Sequence, residues 1–224
     1  MNMNSNALEL TGKTIVITAG PTYEDLDPVR FLGNRSSGKM GFALAEVAAD
    51  VGAKVYLIAG PCQQETPKNV HRIDVRSAEQ MFTAVMEKVG KADLFIGCAA
   101  VADYRPAECQ SKKIKKNGDD LVLHLIQNPD ILASVAALNK RPFTVGFAAE
   151  TNNVADFARG KLARKKLDMI AANQVGEDIG FDCCDNALLV LYADGRDHQL
   201  PIQDKHSLSK QLLSLISMEL YAKH

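Results

Sequence analysis

Compact apolar runs alternate along the chain with stretches whose apolar residues recur every three to four positions. Residues 14–19 (TIVITA), 54–60 (KVYLIAG), 93–100 (DLFIGCAA), 143–150 (FTVGFAAE) and 168–173 (DMIAAN) are nearly continuous in apolar character. Strands covered on both faces have that character. A shorter run, HRIDV at 71–75, predicts one more strand. Helical stripes fall between them. One lies near 37–51 through Met40, Leu44, Val47 and Ala48, and another opens at Ser77, with Glu79 in its first turn, and ends near Val89. A helix of about ten residues follows Asn128-Pro129-Asp130, and a basic one spans Asn153 to Leu167.

Repeated strand–helix alternation predicts an α/β fold, a doubly wound, mostly parallel, Rossmann-like sheet with right-handed crossovers. Two segments break the rhythm. Residues 101–126 read as a loop and then a hairpin flap, with Asn117-Gly118 as the turn between KKIKK (112–116) and LVLHLI (121–126). ALLVLYADGRDHQLPI (187–202) predicts a C-terminal antiparallel hairpin, followed by an amphipathic helix from Ser207 to about Tyr221. With no internal repeat or low-complexity tract, residues 13–224 read as one domain behind a polar tail or linker, residues 1–12.

Bulk properties narrow the function classes. A net charge of −1 on 224 residues argues against nucleic-acid or membrane-surface binding driven by charge. No apolar run approaches the roughly 20 residues of a membrane span, and MNMNSNALELTG lacks the basic and apolar regions of a signal peptide. The expectation is a cytoplasmic protein. Five cysteines (62, 98, 109, 183 and 184) without C-x-x-C spacing fit reduced thiols. The five histidines show no zinc-ligand spacing.

Candidate chemistry concentrates in GPTYEDLDPVRFLGNRSSGKMG (20–41), a glycine-rich loop between a buried strand and a helix. Unpaired N–H groups and the helix dipole make such a junction an anion site. Gly33 to Lys39 nearly matches a P-loop, yet Met40 stands where Ser or Thr would hold Mg²⁺. Ser36, Gly38 and Gly41 echo a dinucleotide fingerprint with its first glycine missing, in a loop too long for one. The bland alternative is a serine cap with Gly41 in close helix packing. Ala99-Ala100-Val101-Ala102-Asp103 ends a strand in small residues that admit a ligand to the backbone; a plain strand end capped by Asp is the alternative. Lysines 112, 113, 115 and 116 around Ile114 are read, on pattern alone, first as an exposed edge strand guarded by its charges. Alternation on such a strand would set Lys113 and Lys115 opposite Lys112 and Lys116. In doubly wound sheets ligands bind beyond the carboxyl ends of the strands. The unusual segments after the strands, GPT…GKMG, AAVADYRP, GFAAETNN and AANQV, are therefore expected to line one crevice.

In order along the chain, TAGPT, DPVRFLGNRSSGKMG, CAAVADYRP, KIKK, NPDIL, GFAAETNN and K-x-x-x-K before D-x-I-A-A-N resemble the bacterial phosphopantothenate–cysteine ligase (phosphopantothenoylcysteine synthetase) family. The match runs from about Thr18 to Asn173 and more loosely to the C-terminus. In many bacteria that family forms the C-terminal half of a bifunctional protein with a flavin-dependent decarboxylase. The resemblance implies CTP-dependent ligation of L-cysteine to 4′-phosphopantothenate through an acyl-cytidylate, with Mg²⁺ as cofactor, in a homodimer. No flavin is expected in this chain, because no flavin-binding segment precedes Thr11. By matching motif, Asn34 and Lys113 would be catalytic. The nucleotide would meet Gly97, Cys98, Ala99, Asp103, Lys113, Pro129, Asp130, Ile131, Leu132, Phe147, Lys161 and Lys165. The acid substrate and its phosphate would meet Arg30, Asn34, Ser36, Ser37, Gly38 and Ala100. Metal ligands are not implied. A nicotinamide-dependent oxidoreductase and a nucleotide-binding regulatory module are the competing classes.

Overall fold

The computed structural model describes residues 8–116, 118, 120–150, 152–174 and 185–222. Strand β1 (Thr14–Ala19) is buried along nearly its whole length. The loop after it is not irregular throughout: β2 (Tyr23–Asp25) and β3 (Phe31–Gly33) form a small antiparallel ladder within it. Helix α1 (Lys39–Asp50) follows, then β4 (Lys54–Ala59), β5 (Val70–Asp74), α2 (Ala78–Val89) and β6 (Leu94–Gly97). Beyond these come β7 (Tyr104–Pro106), β8 (Leu125–Gln127), α3 (Ile131–Ala136), β9 (Phe143–Glu150), α4 (Val154–Arg164) and β10 (Met169–Gln174). The chain closes with β11 (Asp185–Tyr192), β12 (Asp197–Asp204) and α5 (Lys205–Ala222).

The main sheet has the order β12-β11-β10-β9-β6-β1-β4-β5. Pairing is parallel from β5 to β10 and antiparallel where β10 meets β11 and β11 meets β12. The predicted doubly wound sheet and C-terminal hairpin are therefore both present. Along β1, Ile15 and Ile17 enter a core built with α1 and α5, whereas Val16 enters one built with α2 and α3. A third cluster beneath α4 covers the remainder of the second face. Burial on both faces explains why these strands read as apolar runs rather than as alternation. Strand order reverses between β1 and β6, which places the ligand-binding crevice of such a sheet beyond their carboxyl ends.

Several boundaries differ from expectation for identifiable reasons. Leu10, assigned to the tail, is fully buried, and its N–H bonds Val51 O, so the packed body starts before residue 13. Strand β6 ends at Gly97, yet its pairing with the β1 side carries on beyond it: Cys98 N–H donates to Thr18 O, Ala100 N–H donates to Gly20 O, and an isolated parallel bridge joins Pro21 to Ala100. Helix α3 has six residues rather than about ten, and the chain turns back through Pro142 to enter β9. Helix α2 carries the reciprocal capping box of Ser77 and Gln80, which satisfies two of its free N-terminal N–H groups.

The flap needs correction. A hairpin is present, but its arms are β7 and β8, with residues 107–124 as the excursion between them. Segments 112–116 and 121–124 are not strands. Ile114 donates its N–H to Asp27 Oδ2 and accepts from Arg30 Nη2, so side chains satisfy the backbone where a partner strand was expected. The turn residue Asn117 and cysteines 183 and 184 lie outside the described residues.

Candidate functional site

At the switch point, backbone bonds join the loop after β1 to the end of β6. Ala100 N–H donates to Gly20 O, Thr22 N–H donates to Ala100 O, and Thr22 Oγ1 accepts from Ala102 N. This floor brings the ends of the two strands together. Above it, Gly38 sits immediately before α1 with φ 77° and no side-chain cap. That left-handed conformation favours glycine, and it excludes the serine cap that was the bland alternative for this loop. Three residues on, an added methyl at Gly41 would lie 2.5 Å from Ala19 Cβ. The helix therefore rests directly on β1, which places the 34–38 loop at the strand end. Gly41→Ala is expected to lift α1 and to cost about 1–3 kcal/mol of stability in urea unfolding. An unchanged midpoint would show that the helix accommodates the methyl.

Two connected lobes open there. The larger, of about 480 Å³, is lined by Asn34 to Gly41, Cys98 to Val101, Asp103, Phe147 to Ala149, Lys161 and Asn173, with Asn186, Leu188 and Lys205 closing it. The smaller, of about 140 Å³, is lined by Gly97, Ala99, Asp103, Asn128 to Leu132, Phe147, Lys161 and Lys165 among others. Ala99, Val101, Asp103, Phe147 and Lys161 border both. Arg35, Lys39, Lys161 and Lys205 set four cations around the larger lobe against the carboxylate of Asp103. Such a lining suits a polyanion.

Individual side chains are held by clear partners. Asn34 Nδ2 donates to Val101 O at 3.1 Å and more weakly to Ala100 O at 3.4 Å, tying the glycine loop to the β6 end. Lys161 Nζ donates to Phe147 O at 2.7 Å. Burial, helped by the neighbouring Lys165, pushes its pKa below the usual lysine value. Lys165 pairs with Asp130 at 2.9 Å, and Asp130 also caps α3 by accepting from Ala133 N. Asn128, buried, donates to Ala102 O and fixes the turn that carries Asp103. Burial pushes the Cys98 thiol up to about 12, with Lys205 opposing. A thiol so protonated is no nucleophile at neutral pH.

The structure thus gathers Asn34, Ser36, Ser37, Gly38, Ala100, Cys98, Ala99, Asp103, Phe147 and Lys161 in one lobe. It gathers Gly97, Pro129, Asp130, Ile131, Leu132 and Lys165 in the other. Arg30 and Lys113 line neither lobe. Arg30 is bound to Asp27 and Ile114 O, and Lys113 lines a separate cavity of about 680 Å³ under the 107–124 excursion. Lys112 and Lys115 line that same cavity, so strand alternation does not separate the lysines. Asn186, Leu188 and Lys205 were not foreseen. They come from β11 and the start of α5, and nothing local in the C-terminal hairpin marks them. Among the described residues no cluster of three or more His, Cys, Asp or Glu could hold a metal. No helix among them is long and apolar enough to cross a membrane.

Residues 10–220 match the profile of the family described as the DNA/pantothenate metabolism flavoprotein C-terminal domain. The chain belongs to that family. Among curated proteins it is 54% identical over 208 residues to the coenzyme A biosynthesis bifunctional protein CoaBC of Vibrio parahaemolyticus, 91% of this chain and 52% of that protein. It is 51% identical over 213 residues to the CoaBC of Escherichia coli, 93% of this chain and again 52% of that protein. The chain spans about half the length of the curated relatives it matches. A crystal structure of the C-terminal domain of CoaBC superposes with a TM-score of 0.83 at 38% identity, covering 96% of this chain and 100% of that one. A Cab2 variant in complex with phosphopantothenate-cysteine shares the fold, with a TM-score of 0.78 at 15% identity over 94% of this chain and 88% of that one. In this member of the flavoprotein C-terminal domain family, the crevice is built almost wholly from segments that follow parallel strands.

Proposed function

We propose that this chain is a ligase of coenzyme A biosynthesis that joins L-cysteine to 4′-phosphopantothenate with consumption of CTP. The observation that carries the reading is the two-lobed crevice at the β1/β6 switch point, whose lobes meet at Asp103, Phe147 and Lys161. A 140 Å³ lobe bordered by a helix start and a small-residue strand end favours a one-ring base, and the cation-lined larger lobe suits phosphates and an acid. A carboxylate oxygen of phosphopantothenate attacks the α-phosphorus of CTP, pyrophosphate leaves, and an acyl-cytidylate forms. The cysteine amine then attacks the acyl carbon, CMP leaves, and the amine proton passes to solvent. Positioning and charge neutralisation dominate such chemistry.

In this reading Lys161 and Lys165 hold the nucleotide, the 36–38 loop binds phosphate through backbone N–H groups, and Asn34 steadies the mixed anhydride. Asp103 is the carboxylate that both lobes share and fits Mg²⁺ bound mainly through nucleotide phosphates, as that ion usually is. When bound, Mg²⁺ supplies charge neutralisation on the triphosphate. Lys113 would act from the excursion as a lid. Val29, Phe31, Tyr104, Leu121, Val122 and Ile126 leave an exposed apolar surface around the two small ladders, which supports docking of a second copy. The CoaBC relatives are bifunctional, so a flavin decarboxylase, fused or separate, is the expected partner in the cytoplasm.

Pyrophosphate release from CTP tests the reading. Release is expected to require 4′-phosphopantothenate, to stop near one equivalent per site without cysteine, and to continue with it. CTP should also raise the melting temperature more than ATP does. Binding without release would favour a regulatory module, and a response to a nicotinamide cofactor instead would favour an oxidoreductase. Equal shifts by CTP and ATP would remove the CTP assignment.

A further inference from the structure

We propose that Asp27 and Arg30 form a clip that grips the backbone of Ile114 from both sides and so positions the lysine segment 112–116. The inference rests on the role given above to Lys113. Asp27 is 1% exposed, in the turn between β2 and β3. Its Oδ1 accepts from Val29 N at 2.7 Å and Arg30 N at 2.9 Å, which holds the turn, and its Oδ2 accepts from Ile114 N at 3.0 Å. Arg30 Nη2 donates to Ile114 O at 3.0 Å, with Nε 3.7 Å from Asp27 Oδ2. One peptide unit on either side of Ile114 is therefore held by a carboxylate and its own paired guanidinium.

That grip has a specific target. Lys112, Lys113, Lys115 and Lys116 are exposed, and four like charges within five residues repel one another. With no strand partner to hold it, such a segment spreads unless its middle is anchored. Ile114 lies at that middle, half-buried against the turn. The turn in turn is rigid, because Leu26 and Asp27 both donate backbone N–H groups to Arg30 O. A second tie, Gln110 N–H to Leu26 O, fixes the excursion on the same turn. From Arg30 the chain runs straight through β3 to Asn34, whose amide is bonded to Val101 O. A single rigid run thus links the anchor of the lysine segment to the glycine loop of the crevice. Asp27 and Arg30 act as positioning residues, each through its hold on Ile114.

Asp27→Asn isolates the clip. An amide oxygen at the Oδ1 position still accepts from Val29 and Arg30, while an N–H₂ at the Oδ2 position meets the N–H of Ile114 and cannot accept from it. Ile114→Pro is the second variant, since it removes the donor and leaves the turn intact. Both are expected to keep the wild-type melting temperature to within about 3 °C. Trypsin should cut after Lys115 and Lys116 about tenfold faster in both, as a lost anchor raises local opening. The bond after Lys113 is left out of the comparison, because trypsin does not cut before the proline of Ile114→Pro. Pyrophosphate release per site should fall about tenfold with the KM for CTP nearly unchanged, because the nucleotide lobe is untouched. Combining Asp27→Asn with Lys113→Gln should cost no more than Lys113→Gln alone, since both act through one side chain. Wild-type cutting rates in both variants would overturn the clip. Faster cutting with wild-type turnover, or additive losses in the double variant, would overturn its role in positioning Lys113. If wild-type protein released no pyrophosphate, the functional reading would fail, and the protease arm would still confirm or overturn the clip.

Discussion

Asn34→Asp is expected to slow pyrophosphate release by about 100-fold or more, the loss seen when a donor to developing negative charge is removed. The side chain is exposed, so the fold should survive the change. Its amide N–H₂ holds Val101 O at 3.1 Å and Ala100 O at 3.4 Å. The longer of these bonds is the one that an acyl-phosphate oxygen displaces most readily. A carboxylate donates nothing. It would face two carbonyl oxygens in the free protein and the anionic anhydride during turnover, and both contacts repel. Single-turnover pyrophosphate release, with melting temperature as the control for folding, measures the effect. Turnover within twofold of wild type would remove Asn34 from the mechanism.

Lys161→Met is expected to weaken CTP binding by about ten- to a hundredfold, corresponding to roughly 1.5–3 kcal/mol for a lost charge-assisted contact. The effect has a pH signature. Burial, and then Lys165, lower the Lys161 pKa, while Glu150, Asp130 and Asp103 oppose that shift. The side chain therefore loses its charge at a lower pH than an ordinary lysine. Affinity for CTP should be complete below that lowered value and fall as pH rises through it. The nucleotide's own charge favours the protonated amine, so binding on that limb takes up a proton, visible as heats that depend on the buffer. Lys161→Arg stays charged throughout and should abolish the limb. Identical pH profiles for wild type and Lys161→Arg, or undiminished affinity in Lys161→Met, would show that Lys161 only holds Phe147 O.

What could be read from sequence was whatever local chemistry decides. The parallel strands were legible because burial on both faces demands an apolar run, and β9 has the bounds its pattern implies. Capping chemistry placed the start of α2 at Ser77, and it opened α3 within Asn128-Pro129-Asp130, of which Asp130 proves to be the cap. Strand order then required the segments after the strands to converge, and Asn34, Ala100, Phe147 and Asn173 do line one lobe. Where the outcome depended on a partner far along the chain, local pattern misled. KKIKK has the composition of an edge strand, yet Ile114 spends its backbone bonds on Asp27 and Arg30, more than eighty residues earlier. The loop after β1 hides the β2–β3 ladder because three-residue strands leave no periodicity to detect. Lys205, Asn186 and Leu188 reach the larger lobe only because β11 pairs antiparallel beside β10. Hydrophobic period and capping are properties of neighbouring residues, so the sequence alone determined the layered sheet and the end at which the crevice opens. Which side chains close that crevice, and what holds the lysine segment, are settled by contacts across the fold. Only the tertiary structure decides them.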